Sequence, residues 1–423
     1  MALTNRILVK AERFFKVDVR YLLQGTLWSS LAQVVITLSA LALSMVLSRY
    51  LPKEVYGHYK YVLSLVSLIS IFSLSNLNYA VLQSASRGFD GSIIEGFWAS
   101  LKWSALIFLG ALGLSVYYFV QGNWGLAVGI LIGGALGPLI TAGSLTSSFL
   151  IAKKDFEGLA VHGSIIGSFI PAAALMTTAL LSQNYLIFVA VYFVTTAGVY
   201  LYLYHYALRQ HHPNPENRDP GMINYAKHLS FMGILGGLAG NIDQVLLFHY
   251  VGPIQLALYN FAIGVPDQLK GPLKNLDGMF QARFANHLPT DIRKSMQTKT
   301  ILLFIFAVVC VAIYIPLTPI IYHLLFPNYL DAVPYSQWYS LTLLAMPFIP
   351  SASYLSSKRL IREQYWYNAL SNGFRIAFIA IGVIGWGLAG LIGAIIASRF
   401  AGGLTSYVLY RIASGKEVAP PVV

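Results

Sequence analysis

The stretch Asn241–Asn260, NIDQVLLFHYVGPIQLALYN, decides the fold. An apolar helix carrying two polar groups, Asn241 and Asp243, runs into the turn signal Gly252-Pro253, and a second apolar segment leaves it. That is the end of one membrane helix, a short turn and the start of the next. The same layout stands 200 positions earlier, in VLSRYLPKEVYGHYKY from Val46 to Tyr61. At that offset, without gaps, Leu47 meets Leu247, Tyr50 meets Tyr250, Tyr59 meets Tyr259 and Tyr61 meets Phe261. The offset is close to half of the 423 residues. An internal repeat of this size points to two similar lobes, as in many transporters.

Composition agrees. Charged residues make up 10% of the chain, against about 25% in a soluble domain. Hydrophobic residues make up 57%, and the mean hydropathy is +0.64. The chain is a polytopic membrane protein. Its one cysteine, Cys310, lies in an apolar run, which excludes an intrachain disulfide and a cysteine-based metal site. The net charge of +12 reads as basic cytoplasmic loops rather than a nucleic-acid surface. Residues 1–21 are of mixed charge and read as a cytoplasmic lead-in, without the apolar core and small-residue site of a cleaved signal peptide.

Apolar runs long enough to cross ~30 Å of hydrocarbon fall at 22–48, 57–82, 97–120, 124–150, 160–182 and 184–207. After the polar stretch RQHHPNPENRDPGMINYAK (Arg209–Lys227), a second set falls at 229–251, 254–276, 300–326, 336–357, 364–386 and 388–411. The expected architecture is all-α, with about 12 transmembrane helices in two six-helix lobes around a central cavity. The N-lobe is 22–208, the cytoplasmic linker 209–228, the C-lobe 229–411 and the cytoplasmic tail 412–423. With the N-terminus inside, 23 of the 28 Lys and Arg residues fall on inner segments. Outer loops hold only Arg49 and Lys53, while Lys60, Arg375 and Arg399 lie within spans. That bias predicts both termini in the cytoplasm. The basic inner segment from Asn275 to Lys299 has two readings that stay open: an amphipathic helix on the anionic leaflet, or a solvated connector.

A channel or transporter must turn its polar groups away from lipid, towards a cavity. Span 1 carries Gln24, Thr26, Ser29, Ser30, Gln33, Thr37 and Ser44, many at helical spacing, and spans 7 and 8 are similarly polar. These three spans are expected to line a wet interior. A charge at the bilayer centre costs about 3 kcal/mol by insertion scales, so each one needs a reason. At ~1.5 Å per residue, Asp243 lies about 12 Å below the outer surface, too deep for a short side chain to escape. Asp243, Asp267 and Asn241 are therefore ion-coupling or structural candidates, and Asp267 is placed to pair with Lys270 or Lys274. Lys60, Lys270, Arg375, Gln33 and Asn260 are the substrate-binding candidates. Lys60 and Lys270 can also snorkel to their interfaces. The surplus of buried cations suits an anionic substrate such as a phosphate or diphosphate group.

Soluble-site chemistry has no signature here. There is no Walker-type phosphate loop and no H-E-x-x-H, so neither an ATP motor nor a zinc hydrolase is read. The outer loops are short, the largest lying around Pro327 to Tyr335, which disfavours a glycan-processing enzyme. No catalytic residue, metal site or cofactor is expected, and His162 and His249 read as packing histidines.

Two stretches resemble a known family. LSRYLPKEVYGHYKYVLSLVSL (Leu47–Leu68) is similar to the helix 1–2 junction of oligosaccharide flippases in the multidrug/oligosaccharidyl-lipid/polysaccharide exporter (MOP) superfamily. GNIDQVLLFHYVGPIQLALYNFA (Gly240–Ala262) is similar to their helix 7–8 junction. The resemblance covers the chain in architecture and is specific in residues only over these two stretches. It implies a cavity lined by helices 1, 2, 7 and 8 and rocking between inward-open and outward-open states. It implies as cargo a polyprenyl-diphosphate-linked oligosaccharide, moved from the inner to the outer leaflet of the bacterial cytoplasmic membrane for O-antigen (lipopolysaccharide), capsule or exopolysaccharide synthesis. Membrane lipids, a glycan polymerase and other assembly proteins are the implied partners, without nucleic acid. Pro52 stands where glycine is common. The first lobe lacks an acidic cluster, which argues against cation-antiport drug export, and twelve spans rather than fourteen argue against a peptidoglycan-precursor flippase. A drug or metabolite cation antiporter of the same superfamily and a membrane-embedded glycan-processing enzyme are the alternatives.

Overall fold

The computed structural model describes residues 19–269, 280–281, 284, 289–358 and 360–418. Lys270, Lys274, the lead-in up to residue 18 and much of the 275–299 segment lie outside them, as do the side chains of Gln24 and Thr26. The described residues form helices and turns, with no strand. In hydrocarbon every backbone N–H and C=O must be satisfied within its own segment, and helices do this.

The first helices are α1 (Val19–Tyr50), α2 (Lys53–Ser70), α3 (Leu77–Ser86), α4 (Ser92–Trp103) and α5 (Ala105–Val120). They are followed by α6 (Trp124–Ala152), α7 (Phe156–Leu181, with a π-helical turn over Leu159–Ile165) and α8 (Tyr185–His211). The second half holds α9 (Met222–Val251), α10 (Pro253–Leu269), α11 (Pro289–Leu325), α12 (Val333–Ser340), α13 (Ile349–Ser357) and α14 (Ile361–Val418). Each of the twelve expected spans is mainly helical over its described residues. Among the described residues, eight segments are long and apolar enough to cross a membrane, one of them being Ile361–Ser414 at 54 residues. That segment is two rods joined at Trp386 and Gly387, the latter with φ +58, and Gly382 and Gly390 let the rods touch backbone to backbone.

Three expected spans are divided between helices; the third, 97–120, passes from α4 to α5 at Ser104. The second, 57–82, is broken between α2 and α3, where short polar side chains compete for the backbone. Ser73 Oγ donates to the Ser70 carbonyl at 2.7 Å, and Asn76 Nδ2 donates to the Leu229 carbonyl at 2.9 Å. The tenth is α12, a 3₁₀ segment over Leu341–Phe348, and α13, with Pro347 and Pro350 unable to donate to the helical ladder.

The chain groups into two compact units. The first takes the described residues up to Leu47 and Ile69–Gly233; the second takes Ser48–Leu68 and the residues from Ile234 on. In the first unit α6 is central, with α3, α4, α5 and α8 packed on it. Its core includes Leu77, Ile93, Leu145, Phe149, Leu203 and Met222, with Phe97 stacked on Tyr204 at 4.0 Å. The polar stretch after α8 is pinned to this unit. Asn217 Nδ2 donates to the Gly88 carbonyl at 2.8 Å, and the Gly91 N–H donates to the Asn217 carbonyl at 2.9 Å. A side chain at Gly91 would press on that carbonyl. Lys153 pairs with Asp90, and Asp155 caps the first turn of α7 while accepting from His211 Nε2 at 3.0 Å.

In the second unit the two copies of the repeated motif lie against each other. Gly57 sits directly on the backbone of Pro253, where any Cβ would overlap the Pro253 carbonyl. Tyr61 stacks on Phe248 at 3.7 Å, and Tyr56 lies 5.1 Å from Phe261. The turn between α9 and α10 is made by Gly252 at φ +106. Lys53 pairs with Asp331 at 2.8 Å, and Asn328 Nδ2 donates to the Ser48 carbonyl at 3.0 Å, tying the same tip to the loop after α11.

Candidate functional site

Two carboxylates of the second unit are engaged by tyrosines of neighbouring helices. Asp243 on α9 is 4% exposed. Its Oδ2 accepts a 2.5 Å hydrogen bond from the Tyr259 hydroxyl on α10, and its Oδ1 accepts from the Gln244 N–H at 2.9 Å. Arg375, on the first rod of α14, brings Nη2 to 3.9 Å from Oδ2, within ion-pair reach and beyond hydrogen-bond length. Asp243 is thus anchored by a buried phenol and loosely faced by a guanidinium. Asp267, near the far end of α10, accepts from the Tyr339 hydroxyl of α12 at 3.0 Å. Arg399, on the second rod of α14, is within electrostatic reach of that tyrosine. Each carboxylate is therefore met by a tyrosine, and Asp243 is also faced by an arginine.

Both arginines open onto one cavity of about 560 Å³ inside the second unit. Its polar wall comes from the first rod of α14, where Asn368, Ser371, Asn372 and Arg375 follow one another at the spacing of a single helix face. The second rod adds Ser398, Arg399 and Ser406. The opposite wall, from the 3₁₀ segment and α13, is mostly apolar: Leu343, Met346, Phe348 and Ile349. Gly402 and Gly403 keep the second rod close, because a Cβ on the first would crowd Ser371 at 3.0 Å and one on the second would run into Phe348. No carboxylate is among the described lining residues. Arg375 Nε and Ser371 Oγ are buried without a hydrogen-bond partner among the described residues. Such groups are costly to leave unmet.

Of the residues singled out from sequence, the structure brings Asp243 and Arg375 together. Asn241 is nearby on α9, donating to the Gly237 carbonyl at 3.1 Å and accepting from Ser67 at 3.0 Å. Asn260 bonds back to the Leu256 carbonyl at 2.9 Å, and Gln33 in the first unit bonds to Thr37 at 3.3 Å on its own helix. Lys60 is half-buried, its ammonium 5.5 Å from the Tyr56 ring centre and 6.0 Å from that of Tyr59. Lys270 lies outside the described residues, and the acceptor position of Asp267 facing α12 is taken by Tyr339. Sequence reasoning missed Tyr259 and Tyr339, which are ordinary apolar-face residues until tertiary packing sets them beside a carboxylate. It also missed the Asn368–Ser371–Asn372–Arg375 face, whose i, i+3, i+4, i+7 spacing was a usable signal.

Comparison with known proteins agrees with this architecture. Solved structures share the backbone at low identity. An inward-facing multidrug resistance MATE family transporter of the MOP superfamily superposes with a TM-score of 0.74 at 12% identity, covering 90% of this chain and 95% of that one. An outward-facing form of such a transporter gives 0.62 at 12% identity, over 93% and 96%. A MOP superfamily transporter from Pyrococcus furiosus, described as having a binding pocket of reverse polarity, gives 0.56 at 11% identity, over 94% of each. No curated protein matches the sequence. The polysaccharide biosynthesis protein family matches residues 22–265, more than half of the chain. The backbone therefore shares the fold of those MOP superfamily transporters, and the chain belongs to the polysaccharide biosynthesis protein family.

Proposed function

We propose that this protein is a flippase that moves a polyprenyl-diphosphate-linked oligosaccharide from the inner to the outer leaflet of the bacterial cytoplasmic membrane by alternating access, supplying O-antigen, capsule or exopolysaccharide synthesis. The observation that carries this reading is the second-unit cavity, with two guanidinium groups and no carboxylate among its described lining residues. Guanidinium forks suit phosphate oxygens, whereas two fixed positive charges repel a cationic cargo. Membership of the polysaccharide biosynthesis family supports the same cargo class. In this reading the charged head group crosses through the protein while the polyprenyl tail stays in lipid. Lys60 and Lys270 are contacts along the head group's path, both termini are cytoplasmic, and the product passes to a glycan polymerase and its assembly partners.

A second reading, cation antiport, is favoured by Asp243, a buried carboxylate in a fold shared with multidrug transporters. It is weakened because Asp243 is already engaged by Tyr259 and faced by Arg375. The deciding experiment is deletion of the gene with measurement of surface glycan and lipid-linked oligosaccharide. The flippase predicts loss of glycan and build-up of lipid-linked units on the inner leaflet. Intact glycan together with new sensitivity to cationic drugs would sink it and favour the antiporter.

A further inference from the structure

We propose that the second-unit cavity is a phosphoanion subsite in which Arg375 exchanges Asp243 for the anion, so that ligand capture and the release of Asp243 are one event. The subsite draws its polar lining from α14 and its apolar wall from the Leu341–Phe348 segment and α13. None of its lining residues comes from α1, α2, α9 or α10. It is thus a different place from the polar stripe that the sequence puts on the first, seventh and eighth spans.

Three observations converge on an anion. Arg375 and Arg399 supply fixed positive charge, with no carboxylate among the described lining residues. Arg375 Nε and Ser371 Oγ, one helical turn apart, are buried and have no hydrogen-bond partner among the described residues. An acceptor oxygen admitted at that turn would satisfy both of them, and Asn372 is on the same face to donate as well. The existing ion pair is also loose: at 3.9 Å Arg375 makes no hydrogen bond to Asp243. A phosphate oxygen at normal hydrogen-bond distance competes well against that contact. When Arg375 turns to the anion, Asp243 keeps Tyr259 at 2.5 Å as its anchor, so the exchange leaves no carboxylate stranded. The apolar wall of Leu343, Met346 and Phe348 is suited to the first carbons of an attached chain. The identity of the anion as a lipid diphosphate rests on the flippase reading; the subsite and the exchange do not.

The test uses the full chain purified in detergent, with farnesyl diphosphate and inorganic pyrophosphate as probes and isothermal titration as the readout. Arg399→Gln is expected to weaken farnesyl diphosphate binding at least tenfold, and Ser371→Ala severalfold. Asp243→Asn is expected to tighten it severalfold, because Arg375 no longer has a competing carboxylate. A structural role for Asp243 alone does not predict that gain. Size-exclusion profiles and thermal midpoints confirm that each variant is folded; should Asp243→Asn fail this check, Tyr259→Phe with Arg375→Lys replaces it, and weaker binding in Arg375→Lys is the expected result. Equal binding of pyrophosphate and farnesyl diphosphate, lost in Arg399→Gln, supports the subsite with a soluble anion as its source. Preference for farnesyl diphosphate supports a lipid-borne one. No binding of either probe at millimolar concentration, or binding indifferent to Arg399→Gln and Asp243→Asn, overturns the proposal. The deletion strain separates this from the function itself. Intact surface glycan with Arg399-dependent binding removes the flippase and leaves the subsite; lost glycan with Arg399-independent binding does the reverse.

Discussion

Tyr259→Phe tests whether Asp243 is held chiefly by the phenol or by the guanidinium. The substitution removes one oxygen and changes nothing else in shape. Tyr259 is 1% exposed and its hydroxyl reaches Asp243 at 2.5 Å, so no water replaces it easily. A hydrogen bond to a charged acceptor is worth about 1.5–3 kcal/mol. The Arg375 contact is longer, at 3.9 Å. Coulomb's law at an effective dielectric near 20 gives about 4 kcal/mol for unit charges at that separation, but desolvation of both ions consumes most of such a gain. Without a hydrogen bond to add to it, the net coupling should be below about 1 kcal/mol. Two double-mutant cycles against Asp243→Asn, one with Tyr259→Phe and one with Arg375→Gln, read these terms directly. Thermal unfolding of the detergent-solubilised protein is the assay, with about 1–2 °C expected per kcal/mol in a chain of this size. The Tyr259 cycle should show the larger coupling. A larger coupling in the Arg375 cycle, or a neutral Tyr259→Phe, refutes the reasoning and makes the ion pair the anchor.

Other expectations follow from single contacts. Gly57→Val forces a side chain into the Pro253 carbonyl and should lower stability by about 1–3 kcal/mol; the check is a drop in thermal midpoint and in monodisperse yield. Gly387→Ala puts a Cβ on a residue at φ +58 and ψ −133, and should cost about 1–3 kcal/mol by the same assay. Asp331→Asn removes an ion pair whose acidic partner is 73% exposed, so less than about 1 kcal/mol should be lost. An unchanged midpoint for Gly57→Val beside a large drop for Asp331→Asn would invert this account of the α2 tip. Asp155→Ala takes away the acceptor of His211 and the cap of α7, and should cost about 1–2 kcal/mol; hydrogen exchange should rise at Gly158 first.

Much of this fold is legible in one dimension because the solvent is lipid. A span must be apolar over the thickness of hydrocarbon and must close its own hydrogen bonds, so composition alone locates it. The repeated motif at Val46–Tyr61 and at Leu246–Phe261 is legible for the same reason, as polar punctuation between two apolar runs. The breaks are less legible. Ser70, Ser73 and Asn76 interrupt the second span through hydrogen bonds, one of them to Leu229, far along the chain. Such a partner cannot be read from neighbouring residues.

One dimension was enough to establish that this chain crosses a membrane many times as helices, where those helices run, and that charges at Asp243, Arg375 and Arg399 need a reason. The physical basis is local: hydropathy, helical period and the cost of a charge in hydrocarbon are properties of a segment. What those charges meet came from the packing of helices in three dimensions. Packing set Gly57 on Pro253 so that the two motif copies touch, and gave Asp243 to Tyr259. It also turned Arg375 and Arg399, from the two rods of α14, into one cavity. Side-chain contacts between helices depend on rotation and crossing, which hydropathy does not encode, because any apolar face satisfies lipid and another helix about equally well.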